Sequence, residues 1–236
     1  VSSRERPAVV EIVSVAKDYH GLRPLRIESL CVLEGEVVAL SGFDVVTAEV
    51  LTNLVTGATL PDRGTVRVFG EDTSATRTAD AWLGGLDRFG IVSGRVVLLE
   101  GFSVAQNLAI ALTLDLDPIP PEPAARVREL ASEVELEDGL LGRAAGPTGA
   151  IDQLRLRLAR ALAINPRLLV VEHPTGSLSP TEIRKMAALF RRLAKARGLT
   201  ALVVSEDRLF AKETSDRRLL LDPKSGSLKL ARSWSF

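Results

Sequence analysis

The sequence predicts an α/β fold: a parallel sheet covered on both faces, an N-terminal antiparallel sheet, and an inserted helical block. Three observations carry this expectation. First, the runs "VVAL" (37–40), "LLVV" (168–171) and "LVV" (202–204) are continuously apolar and alternate with helix-length segments. Strands buried on both faces read this way, and parallel sheets flanked by helices bury theirs. Second, the early segments "AVVEIVSVAK" and "LRIESLCVL" mix apolar and polar residues as strands of an antiparallel partner sheet would. Third, the block from about 95 to 165 shows only helical patterning and looks inserted.

In chain order, residues 8–33 read as strands with turns, followed by a strand at 36–41 and a helix at 48–57. "LPDRGTVRVFG" reads as turn, strand and turn, with Val66 and Val68 on one face. "RFGIVS" is a short strand ending near Ser93. "SVAQNLAIALTL" is helical, "DPIPPEP" breaks it, and "AARVRELASEVELE" resumes with Val127, Leu130, Ala131 and Val134 on one face. "DQLRLRLARALAIN" is a helix stopped at Pro166. "RLLVVEHP" is a strand. "SPTEIRKMAALFRRLAKARG" is an amphipathic helix with Ile183, Met186, Ala187, Phe190 and Leu193 inward and Gly198 as C-cap. "LTALVVSED" is a third buried strand, and "RRLLLDPKSGSLKL" a terminal hairpin.

The 236 residues are 46% hydrophobic, enough for a sizeable core. Thirty basic residues balance thirty acidic ones, so no bulk charge argues for nucleic acid or an anionic membrane surface. The one cysteine, Cys31, has no internal disulfide partner, and its apolar surroundings predict a small core residue. No apolar run is long enough to span a bilayer, and "VSSRERPAVVEIV" lacks a signal-peptide layout. The expectation is a cytoplasmic protein whose contact with a membrane, if any, runs through a partner.

The stretch "EVVALSGFDVVTAEVLTNLVTG", Glu36 to Gly57, begins and ends like a phosphate-binding loop. Counted against G-x-x-x-x-G-K-[ST] from Gly42, however, the second Gly falls on Thr47, the Lys on Ala48 and the Ser/Thr on Glu49.

The order of segments resembles the nucleotide-binding subunit of ABC transporters over nearly the whole chain. The fragment "LARALAINPRLLVVEHPTGSLSP" carries the resemblance best, running like the signature helix through Walker B to the D-loop. Its "PTGSL" wording is nearest the lipoprotein-releasing and cell-division branch. The resemblance implies a P-loop, RecA-like core with an N-terminal antiparallel subdomain and an inserted helical subdomain. It would form one domain over 1–236, with a core lobe of 1–94 plus 166–236 and a helical lobe of 95–165.

Carried over position by position, the family's site residues are changed. The degenerate P-loop is Gly42, Phe43, Asp44, Val45, Val46, Thr47, Ala48 and Glu49, with Ala48 at the Lys position and Glu49 at the Mg²⁺-binding hydroxyl. The Q-loop glutamine falls on Gly94. The signature falls on Thr148, Gly149, Ala150, Ile151 and Asp152, with Gly149 at its serine. Glu172 stands at the Walker B aspartate, His173 at the catalytic glutamate, Ser179 at the D-loop aspartate and Glu206 at the switch histidine. Tyr19 matches the aromatic residue that stacks on adenine.

Val45 and Thr47, being β-branched, resist the positive φ a phosphate cradle needs. Ala48 removes a positive charge. Glu49 puts a carboxylate where phosphate should lie, a repulsion of roughly 3–4 kcal/mol per charge pair at an effective dielectric near ~20. Asp44 and Glu49 are expected instead to supply an internal anion to the helix N-terminus. No cofactor is expected from the residues; ATP and Mg²⁺ enter by resemblance only. Metal: none.

Three readings follow. The first is a catalytically inactive pseudo-ATPase with a structural or regulatory role, paired with itself or another ABC-type subunit and with a membrane permease. The second is a functional but divergent ATP-binding and hydrolysing subunit. The third is a different enzyme reusing an acid–His cluster of Glu172, His173, Glu206 and Asp207, set against those groups being relics of a decayed site. His20 reads as a solvated loop residue, and Arg155, Arg157 and Arg160 as a solvated or subunit-facing stripe.

Overall fold

The computed structural model describes residues 6–75 and 78–231. The N-terminal residues 1–5, part of the segment read for a signal peptide, lie outside the described residues. Strands β1 (Ala8–Lys17), β2 (Leu25–Leu33), β4 (Arg63–Val68) and β5 (Glu71–Asp72) form an antiparallel sheet in the order β2-β1-β4-β5. Strands β3 (Val37–Ser41), β6 (Phe89–Val92), β7 (Leu168–Glu172), β8 (Ala201–Val204), β9 (Arg217–Leu221) and β10 (Leu228–Leu230) form a second sheet in the order β10-β9-β3-β8-β7-β6. Its pairings are parallel except for the edge hairpin β9–β10.

The helices are α1 (Val45–Val55), α2 (Ala79–Leu83), α3 (Val104–Ala109), α4 (Pro121–Glu133), α5 (Ala150–Ala163), α6 (Pro180–Arg197) and α7 (Arg208–Thr214). The continuous apolar strands are buried on both faces: Val37 to Leu40, Leu168 to Glu172 and Ala201 to Val204 are buried throughout. Two clusters divide these faces. Val38, Leu40, Val170 and Val204 pack with α1 and the antiparallel sheet, whereas Val37, Ala39, Val171 and Val203 pack with α3 to α7. The period-2 alternation of each strand thus joins both lobes to one sheet.

Several expectations are corrected. Helix α1 starts at Val45, three residues earlier than read, because Asp44 caps it. Helix α3 covers six residues, ending at Ala109 well short of residue 114. Cys31 is exposed, since Leu30 and Val32 on either side point into the core. Short helices α2 and α7, of five and seven residues, carry too few turns to show a period.

Candidate functional site

The carboxyl ends of β3, β8 and β7 lie side by side, with Glu172 in register with Val204 and Leu40 also paired to Val204. Between β3 and α1 only Gly42, Phe43 and Asp44 intervene. Gly42 has φ +85°, and a Cβ there would lie 2.8 Å from the Leu221 carbonyl, so only glycine fits this turn. Phe43 is buried beneath the loop. Val45, Val46 and Thr47 have joined the helix, and Ala48 is fully buried in its core-facing side.

The chain's own carboxylates satisfy the N–H groups of this turn. Asp44 accepts from the Thr47 N–H at 2.7 Å and from the Thr47 hydroxyl at 2.7 Å. The backbone bond from Thr47 is the chief reason its carboxyl lies below the usual range. Glu206, exposed at the end of β8, accepts from the N–H of Gly42 at 2.6 Å and of Phe43 at 3.2 Å. The expected internal anion is therefore Asp44 with Glu206; Glu49 takes no part in it.

Glu49 pairs with Arg95 (3.0 Å). Arg95 also grips Glu172, through Nη2 at 2.6 Å and Nε at 3.2 Å. Glu172 is 4% exposed and receives two further bonds, from Thr52 at 2.5 Å and Ser93 at 2.6 Å. Burial pushes its carboxyl up, but the bonds from Arg95, Ser93 and Thr52 outweigh that and hold it below its usual value. Gly94, the aligned Q-loop position, is exposed, and a Cβ there would meet nothing within 4 Å. Its neighbour Arg95 reaches the site instead, and sequence reasoning missed it along with Ser93 and Thr52. The two residues after Arg95 are tied to α5, where Arg157 bonds the Val96 carbonyl (3.2 Å) and Arg160 that of Val97 (2.8 Å). With Arg155 paired to Asp152 and Glu135, these arginines form a set of latches, which corrects the solvated half of the reading of a solvated or subunit-facing stripe.

The acid–His cluster does not assemble. Asp207 turns away to cap α7 through the Phe210 N–H at 2.7 Å. His173 follows β7 at φ +41°, with Nε2 buried and without a hydrogen-bond partner among the described residues. No group of three or more potential metal ligands forms among the described residues. Ser179 caps α6 in a reciprocal capping box with Glu182. The signature residues Thr148 to Asp152 lie at the start of α5, where Gly149 provides no side-chain cap. Tyr19 packs against the core, its ring over Gly21, and His20 is an exposed loop residue at φ +62°.

The resemblance implies Mg²⁺ and ATP here. As the residues stand they do not fit Mg²⁺-nucleotide. The Gly42 and Phe43 N–H groups are given to Glu206, and one Glu49 oxygen and both Glu172 oxygens to Arg95.

No protein-family model matches the chain. A curated relative, a sulfate/thiosulfate import ATP-binding protein of Caulobacter vibrioides, is 32% identical over 216 residues, which is 90% of this chain and 62% of the relative's length. The chain thus spans about three-fifths of that protein. Among solved structures, a dimeric ATP-binding cassette in a post-hydrolysis state bound to ADP and Pi matches with TM-score 0.77 and 22% identity, covering 96% of this chain and all of the other. The cbiO1 structure from Clostridium perfringens, part of an ABC transporter complex, matches with TM-score 0.79 and 18% identity over 96% of this chain and 88% of that one. These findings correct the expectation of catalytic inactivity: the relative is an ATP-binding import protein, and one structural neighbour holds hydrolysis products. The substituted motifs are therefore not grounds for excluding the activity. In fold this chain matches ATP-binding cassettes of the P-loop, RecA-like class, and in sequence it is similar to an ATP-binding import protein.

Proposed function

We propose that the chain is the ATP-binding subunit, or subunit domain, of an ABC transporter and works through a divergent nucleotide cleft. Residues 1–94 and 166–236 serve as its core lobe and 95–165 as its helical lobe. It pairs with a second cassette and acts on a membrane permease. The observation that carries this reading is the β3–turn–α1 unit set beside the ends of β7 and β8, inside a cassette architecture that matches the neighbours over 96% of the chain. The Gly42 and Phe43 N–H groups remain the anion-binding elements of that unit. Glu206 is exposed, and its release from them opens the turn to a phosphate. Tyr19 offers a ring on the adenine side, and Thr148 to Asp152 present the start of α5 to the second cassette.

Because Glu206 and nucleotide compete for the same donors, Glu206→Ala should bind ATP more tightly than the wild type. The gain expected from losing one competing, repelling carboxylate is about tenfold. Titration calorimetry reads it. Absence of binding by both proteins at millimolar ATP would sink the proposal.

A further inference from the structure

We propose that the Arg95 guanidinium is the resident cation of this cleft, standing in for the divalent metal, so that the cleft as it stands excludes one. The resemblance assigns the two metal-side positions to Glu49 and Glu172. In this chain both side chains are carboxylates, and both are bound by one guanidinium. Nη1 of Arg95 lies 3.0 Å from Glu49, Nη2 lies 2.6 Å from Glu172, and Nε lies 3.2 Å from the other Glu172 oxygen. The forked contact to Glu172 is the planar geometry that arginine provides and a metal ion does not.

Each surrounding contact supports permanence. Glu172 is 4% exposed, and its remaining acceptor capacity is used by the Thr52 and Ser93 hydroxyls. Those hydroxyls donate their protons to the carboxylate. The Thr52 hydroxyl sits on α1, 3.0 Å from the Ala48 carbonyl. The backbone just after Arg95 is tied to α5 by Arg157 and Arg160, so the guanidinium is delivered from a held segment. A divalent ion seeking oxygens of Glu49 and Glu172 must displace a charge already there, and the two cations repel each other. Two carboxylates against one guanidinium leave the cluster with a net negative charge. Removing Arg95 therefore leaves a pair of hard oxygen donors with no counter-ion, the setting that a divalent cation neutralises.

This deepens the reading above and rests on it only for taking Glu49 and Glu172 as the metal-side positions. The cation exchange is measured with no nucleotide present, so the two ideas fail separately. The probe is Mn²⁺ alone, followed by its free-ion electron paramagnetic resonance signal and by thermal melting. Wild-type protein is expected to leave the Mn²⁺ signal unchanged and to melt at the same temperature with and without the ion. Arg95→Gln is expected to bind Mn²⁺ saturably, at least about tenfold more tightly than wild type, and to melt higher in its presence. Adding Glu172→Gln to Arg95→Gln should abolish that gain. Micromolar Mn²⁺ binding by the wild type would overturn the proposal, and this arm does not depend on any variant folding. A folded Arg95→Gln that binds Mn²⁺ no better than wild type would overturn it equally. If Arg95→Gln fails to fold alone, recovery of its far-ultraviolet circular dichroism on refolding with Mn²⁺ supports the proposal, and no recovery counts against it.

Discussion

Helices α1 and α5 both begin where the resemblance expects a nucleotide phosphate, one from its own subunit and one from a partner. Their N-termini are finished differently. At α1, Asp44 caps the Thr47 N–H, and Glu206 takes the two N–H groups before it. At α5, Gly149 has a cap-like backbone, φ −64° and ψ 158°, yet offers no side chain, and a Cβ there would meet nothing within 4 Å. The first end is completed by the chain's own charges; the second is left to whatever meets it from outside. A helix terminus needs acceptors in every case. What differs is whether the acceptor comes from the same chain, and at α1 it comes from residues 3 and 164 positions away from the donors.

The comparison breaks hardest at Arg95. Arg95→Ala leaves Glu172 buried without its cation, and the expected loss is about 3 kcal/mol, read by urea unfolding. Combining it with Glu172→Gln should restore part of that loss, because the uncompensated charge is gone. A loss under about 0.5 kcal/mol for Arg95→Ala would place this pair among ordinary surface bridges.

The pH dependence comes next. The folded protein holds the Glu172 carboxyl below its ordinary value, so the unfolded chain binds the proton first. The resulting stabilisation is full above the ordinary carboxylate range and is lost as pH falls through the lower folded value. In that acid window, stability should fall less steeply in Glu172→Gln than in wild type, by up to about 1.4 kcal/mol per pH unit for one proton. Equal slopes would mean that Glu172 titrates alike in both states.

At the helix starts themselves the effects are smaller. Asp44→Ala removes the α1 cap and should cost about 1 kcal/mol, measured by thermal or urea unfolding. Gly149→Ser supplies α5 with the cap it lacks and should stabilise by a few tenths of a kcal/mol, since the backbone there already suits serine. A destabilising Gly149→Ser would show that α5's first turn is not the open end described.

Much of this fold was legible because each signal is local. In α6 the capping box at Ser179, the inward face of Ile183, Met186, Phe190 and Leu193, and the left-handed Gly198 all agree. Cys31 was misread although the signal was present: with Leu30 directed inward, period two sends Cys31 out. Of the site, the altered P-loop residues were legible by counting, and Asp44 as an internal anion by charge. The partners of Glu172 were not. Arg95 meets Glu172 across 77 residues and Glu206 meets Gly42 across 164, and neither pairing leaves a periodicity or a spacing to read. Alignment put attention on Gly94 when the working side chain was one residue further on. Length, not chemistry, hid α7, whose Asp207 cap removes that carboxylate from the cleft.

The central claim is that the chain's own carboxylate occupies the turn between β3 and α1 in which the proposed function seats a phosphate. Amide nuclear magnetic resonance of wild type and Glu206→Ala tests it directly. The account predicts that the Gly42 and Phe43 amide protons move upfield on losing their charged acceptor, and that Thr47, capped by Asp44, keeps its shift. Unmoved Gly42 and Phe43 resonances would contradict it.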